Sequence, residues 1–238
     1  LDLYLPTGRP SNLRLPTLLV QSRYWRAMEL RPPLNLLASD AEELEPRRRG
    51  QRAFYVRRGY AMVYVDVRGT GASFGTLRFP WEPVCIQDAI EVLDWICAQP
   101  WSNGKVGGMG VSYLGTIAEL LLATRHTAVR AVAPMFNHPD AYADISLPGG
   151  LLNRRFLRDW REMDAYLDRN QLAPLLGVLP RLMVRGCRPV QGDRVALAEA
   201  VKRHRYNGSA YRLASLVTFR DDVDPRSDAS PDLLGLHT

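Results

Sequence analysis

Lys105-Val106-Gly107-Gly108-Met109-Gly110-Val111-Ser112-Tyr113-Leu114-Gly115 is the stretch on which the reading of this chain turns. Val106 to Met109 form a short apolar run that predicts a buried strand. Tyr113 to Ala123 read as a helix. Ser112 falls between them with almost no loop, the layout of a sharp strand-to-helix turn that holds a serine hydroxyl clear of a sheet. Gly110 leaves room for strand and helix to approach. Strain at Ser112, and helix N-terminal amides facing the same point, suit the stabilisation of an oxyanion. The pattern departs from G-x-S-x-G, because Leu114 holds the second glycine's place and Gly115 comes one residue later. A serine that merely caps a helix is the competing reading of the triplet. The apolar strand before it and the apolar helix after it favour the presented hydroxyl.

The flanking sequence alternates in the same way. Leu1 to Leu5 read as an edge strand, closed by Pro6-Thr7-Gly8. Thr17 to Val20 and Tyr60 to Val67 are runs suited to strands buried on both faces. A helix is expected from about Pro46 to Arg58, closed by Gly59. Val84 to Ala98 carry Ile86, Ile90, Leu93 and Cys97 at helical spacing, opposite Asp88, Glu91 and Asp94. Val129 to Ala133 predict another strand. Strands alternating with helices argue for a mainly parallel sheet covered on both faces, an α/β class. Gly69 and Gly71 mimic a dinucleotide fingerprint, but Phe74 takes the third glycine's place, and Pro80 and Pro83 forbid an immediate helix. A glycine-rich turn at a strand's carboxyl end remains.

After Pro134 the pattern changes. Leu152, Phe156, Trp160, Met163 and Leu167 trace one face of a long helix. Asp193 is expected to cap a helix through Arg205, and another helix runs from about Ser209 to Phe219. No strand is expected after Ala133. Residues 1–149 thus read as an α/β core, 150–222 as a helical cap and 223–238 as a loosely ordered tail.

With 238 residues, 46% hydrophobic and 24% charged, the chain suits one large globular domain, or one with an insertion. No apolar run reaches the length of a membrane span, so no membrane partner is expected. There is no signal-peptide pattern, although a chain opening on Leu1 leaves an upstream segment open. The net charge of +6 comes almost wholly from arginine. These arginines are spread along the chain among acids, and Arg47-Arg48-Arg49 follow Glu42, Glu43 and Glu45. That excludes a phosphate-binding stripe, so no nucleic acid is expected. Cys85, Cys97 and Cys187 are odd in number and lack CxxC spacing, which argues against a disulfide framework or zinc site. A cytoplasmic location and no metal or cofactor are expected. Cys85 and Cys97 read as small apolar residues of one helix.

Several pieces together resemble the CocE/NonD acyl hydrolases, the family of cocaine esterase and the bacterial X-Pro dipeptidyl-peptidases. They are Tyr24 after a core strand, Asp66-Val67-Arg68-Gly69-Thr70-Gly71, and Pro100-Trp101-Ser102-Asn103-Gly104-Lys105-Val106-Gly107 leading into Gly110-Val111-Ser112-Tyr113-Leu114-Gly115. Arg188-Pro189-Val190-Gln191-Gly192-Asp193, with His204 and Asn207, also resembles that family, as does Phe219-Arg220-Asp221-Asp222. The late Gly115 is the form the serine motif takes there. The resemblance implies an α/β-hydrolase fold with a helical cap, of which this chain holds the first half of the sheet. It implies Ser112 as nucleophile, with the Tyr113 N–H and the Tyr24 hydroxyl as oxyanion donors. A small ester or short peptide would be the substrate.

A serine nucleophile needs a base and an orienting acid. The resemblance places both after the cap, beyond Thr238. His126, His204 and His237 match no catalytic position. His138 shares a loop with Asp140 and Asp144 and is the one internal candidate. Two readings stay open: a serine hydrolase, weak or inactive in a truncated chain, or a non-catalytic domain that binds a ligand or partner chain. Self-association, or pairing with a missing carboxyl-terminal part, is expected.

Overall fold

The computed structural model describes residues 1–8, 10, 12–36 and 46–219. Residues 37–45 and 220–238, which include Arg220-Asp221-Asp222, His237 and the 223–238 tail, lie outside the described residues. The strands are β1 (Asp2–Tyr4), β2 (Leu15–Ser22), β3 (Met28–Leu30), β4 (Ala61–Asp66), β5 (Ser102–Val111), β6 (Val129–Met135) and β7 (Val184–Cys187). The helices are α1 (Pro46–Val56), α2 (Val84–Ala98), α3 (Tyr113–Glu119), α4 (Arg154–Asp168), α5 (Val178–Met183), α6 (Arg194–His204) and α7 (Ala210–Ala214).

Five strands form one sheet in the order β1-β4-β2-β5-β6. β4, β2, β5 and β6 run parallel, and β1 closes one edge antiparallel to β4. Side chains alternate across this sheet as strand geometry requires. Leu15 and Leu19 of β2 pack with Ala61, Val63 and Val106 against Leu93 and Ile96 of α2. Val20 faces the other way, with Met62 and Met109, against Tyr55 and Val56 of α1. A third cluster lies where α3 meets α4 and α7, built on Tyr113, Ile117, Trp81, Leu157, Trp160 and Ala214.

The expectation of no strand after Ala133 is overturned by β7, which pairs antiparallel with β3 in a second, two-stranded sheet. Neither strand carries a run long enough to show a period of two, and β7 contains Gly186. Three further corrections follow. β5 begins at Ser102, upstream of the run from Val106 to Met109 that predicts the strand. Cys97 is exposed while Cys85 is buried, so only Cys85 serves the core. The buried face of α4 is Leu157, Trp160, Asp164 and Leu167, leaving Phe156 44% exposed. The helix is turned so that an acid faces inward, because a buried arginine waits for it there.

Two buried ionic groups knit the chain together. The Arg26 side chain (1% exposed) donates to Asp66 (2% exposed) at 2.7 Å and meets Asp2 at 3.2 Å. Asp66 also accepts the backbone N–H of Arg26 at 2.5 Å and of Ala72 at 3.0 Å. A Cβ on Gly71 would overlap that carboxylate, which explains the glycine in the turn. In the second group Arg23 lies between Asp164 at 2.8 Å and Asp168 at 3.4 Å. Asn207 extends it. Its amide nitrogen donates to Asp168 and to the Gly69 carbonyl, and its oxygen accepts the Leu77 N–H.

Candidate active site around Ser112

β5 ends at Val111 and α3 starts at Tyr113, so Ser112 is the whole junction. Its backbone sits at φ 59°, ψ −123°, a conformation that costs a non-glycine residue about 1–3 kcal/mol. Its side chain makes no capping hydrogen bond, which sets aside the plain capping role. Instead the main chain is pinned: the Ser112 N–H donates to the Met135 carbonyl at 2.9 Å, and the Ser112 carbonyl accepts the Thr116 N–H at 3.0 Å. Ser112 as a residue is partly exposed, and its hydroxyl has no hydrogen-bond partner among the described residues.

Both glycines of the motif follow from this crossing. A Cβ on Gly110 would overlap the Leu114 carbonyl in the first turn of α3. A Cβ on Gly115 would lie 2.6 Å from the Met135 carbonyl oxygen at the end of β6. The second glycine comes late because α3 passes the neighbouring strand at residue 115, not at 114.

Tyr113 N–H is the first amide of α3 and has no intrahelical acceptor. The Tyr113 ring is buried, stacked on Trp81 with centroids 5.1 Å apart. Trp81 Nε1 donates to the Tyr113 carbonyl at 3.2 Å, fixing the residue from behind. Tyr24 follows β2, and its ring meets Tyr113 edge-on at 5.8 Å. Trp160 Nε1 donates to the Tyr24 hydroxyl oxygen at 3.1 Å. Burial, helped by the Asp164 charge, raises the Tyr24 phenol well above its ordinary range, so it keeps its proton at neutral pH. The structure thus gathers Tyr24, Tyr113, Trp81 and Trp160 in one aromatic wall. Trp81 went unread in the sequence because Pro80 and Pro83 marked its surroundings as a loop.

The histidines sort differently. His138 N–H donates to Thr116 Oγ1 at 2.9 Å, tying the loop after β6 to α3. Its ring faces Trp81 and Phe136, at 6.2 and 6.5 Å. Burial lowers its pKa, with Asp144 acting the other way. Asp140 is turned away, accepting the N–H groups of Tyr142 and Ala143, and Asp144 accepts the Asp140 N–H. No carboxylate hydrogen-bonds the His138 ring among the described residues. His204 is buried on α6 with Nε2 2.8 Å from the Ser73 carbonyl, and His126 pairs with Asp94 at 3.1 Å. Both are structural. Among the described residues no group of acids, cysteines and histidines could hold a metal ion, and no helix is long and apolar enough to cross a membrane.

A mostly parallel sheet covered by helices, with its serine at the end of an interior strand, has the fold of an α/β hydrolase. A CocE/NonD family hydrolase of Staphylococcus aureus shares it, with a TM-score of 0.53 and 23% identity, covering 68% of this chain and 29% of that one. The family described as X-Pro dipeptidyl-peptidase (S15 family) matches residues 1–176, and the chain belongs to it. The family is one of esterase-like and X-Pro peptidase-like hydrolases. The chain is 45% identical over 227 residues to a protein of Mycobacterium bovis named "Putative serine esterase", covering 94% of this chain and 36% of that one. It is 38% identical over 107 residues to the cocaine esterase of a Rhodococcus species, covering 44% of this chain and 18% of that one. The chain therefore spans about a third or less of these relatives' length.

Proposed function

We propose that this chain carries the acyl-transfer site of a serine hydrolase that cleaves esters or X-Pro-type amides through an acyl-Ser112 intermediate. The observation that carries it is the uncapped serine at φ 59°, ψ −123° between β5 and α3. On this reading the junction is a nucleophile elbow. The Tyr113 N–H and the Tyr24 O–H form the oxyanion hole, each donor contributing roughly 3 kcal/mol in the transition state. Residues 150–219 act as a cap that moulds the acyl pocket with the Trp81–Trp160 wall. The base and its orienting acid come from polypeptide outside the described residues, as His138 lacks a carboxylate partner.

A second reading has its own support. β6 is an edge strand with no further neighbour in the sheet among the described residues. Met135 on it and Phe136 just beyond are 40% and 83% exposed. Such an edge is a template for a further strand, and suits a domain that works by binding a partner chain. A fluorophosphonate probe separates the two. Labelling of wild type but not of Ser112→Ala supports the hydrolase, and a wild type left unlabelled supports the binding domain.

A further inference from the structure

We infer that Trp160 is a positioning residue for the oxyanion donor, so that the seating of α4 arms or disarms Tyr24. This rests on the reading of Ser112 and Tyr24 proposed above. Consecutive residues Arg23 and Tyr24 are gripped by one face of one helix. Trp160 holds the Tyr24 hydroxyl at 3.1 Å. Asp164, one turn on, holds the Arg23 guanidinium at 2.8 Å, and Asp168, one turn further, meets it at 3.4 Å. Side chains four apart on a helix share a face, so these contacts form and break together.

The chemistry of the Trp160 contact has a direction. An indole N–H only donates, so it occupies a lone pair of the phenol oxygen and cannot take the phenol's hydrogen. No described residue accepts that hydrogen. It is left for the developing oxyanion, and the rotation of the O–H about the ring is restricted by the bond already made. The indole is itself fixed, 5.7 Å from Trp81 and 5.9 Å from Phe156 between ring centroids. Trp160 therefore acts on the reaction through Tyr24, without touching the reacting atoms.

The test compares fluorophosphonate labelling rates of the full chain as wild type, Trp160→Phe, Tyr24→Phe and the double variant. Phenylalanine keeps an aromatic ring in the wall and removes the donor, at the cost of some packing volume. Tyr24→Phe is expected to lower the rate by roughly 100-fold or more, Trp160→Phe by a smaller factor, and the double variant no further than Tyr24→Phe alone. Factors that multiply in the double variant, or a Trp160→Phe rate equal to wild type, overturn the positioning role. The Trp160 indole proton resonance must also shift in Tyr24→Phe. An unmoved resonance refutes the contact, and it decides the matter if Trp160→Phe fails to fold. A wild type that does not label at all overturns the Ser112 reading, and this one falls with it, whereas labelling with multiplying variants sinks only this one.

Discussion

Replacing Asp66 by alanine should be among the most damaging single changes in this chain. Its carboxylate accepts three N–H hydrogen bonds, from the Arg26 guanidinium at 2.7 Å, the Arg26 N–H at 2.5 Å and the Ala72 N–H at 3.0 Å, besides the Cys187 thiol at 3.8 Å. All lie in a region where the Arg26 side chain is 1% exposed. Alanine would leave the guanidinium with Asp2 at 3.2 Å and the Arg188 carbonyl at 3.0 Å, and would orphan two backbone donors. Removing one partner of a buried pair costs about 3–5 kcal/mol, against a total stability of about 5–15 kcal/mol. With a urea dependence of about 2 kcal/mol per molar, the unfolding midpoint should fall by about 2 M. Arg68→Ala supplies the contrast. Its pair with Asp88 is at the surface, with the Arg68 side chain 36% exposed, so its loss should cost below about 1 kcal/mol and shift the midpoint by less than about 0.5 M. Urea unfolding followed by tryptophan fluorescence reads both. If the two variants unfold at the same midpoint, the Asp66 network is not what ties β1, β4 and residues 187–188 together.

Burial pushes the Asp164 carboxyl up to about 7, with Arg23 pulling it down and Asp168 pushing it further up. Its folded value exceeds its ordinary 3.8, so the native state keeps a proton that the unfolded chain has released. That stabilisation is complete below about pH 4 and lost as pH rises to about 7. Relative to Asp164→Asn, wild-type stability should therefore fall by about 1 kcal/mol per pH unit across that window, and parallel pH profiles for the two proteins would contradict this. Alkylation at pH 8 should modify Cys97 first, because it is exposed. Burial raises the Cys85 thiol to about 12 and the Cys187 thiol higher still. Mass mapping that finds Cys85 or Cys187 modified ahead of Cys97 would show that the core opens.

What the sequence disclosed and what it hid have physical causes. The parallel sheet was legible because β2 and β4 are apolar on both faces. α2 runs from Val84 to Ala98 as its apolar spacing predicts, although the face it buries is Cys85, Ala89, Leu93 and Ile96, not the Ile86, Ile90, Leu93 and Cys97 read from the sequence. Ser112 was legible because two glycines that only a tight crossing requires flank it. Trp81 was hidden because its role depends on stacking against a residue 32 positions away. β3 and β7 were hidden for a similar reason. Each is three or four residues long, and each exists through a partner over 150 positions distant. The buried place of Asp164 was hidden as well. On α4 an acid reads as solvent-facing until Arg23 is brought beneath it.

Asn207 joins three parts of the chain at once. One side-chain amide fastens the glycine turn at residues 69–77 to α4, and it does so from the loop that follows α6. Three stretches far apart in sequence are thereby riveted into a single wall. A wall built this way moves as one piece, so a shift of α4 is carried to the glycine turn and to the loop after α6 together.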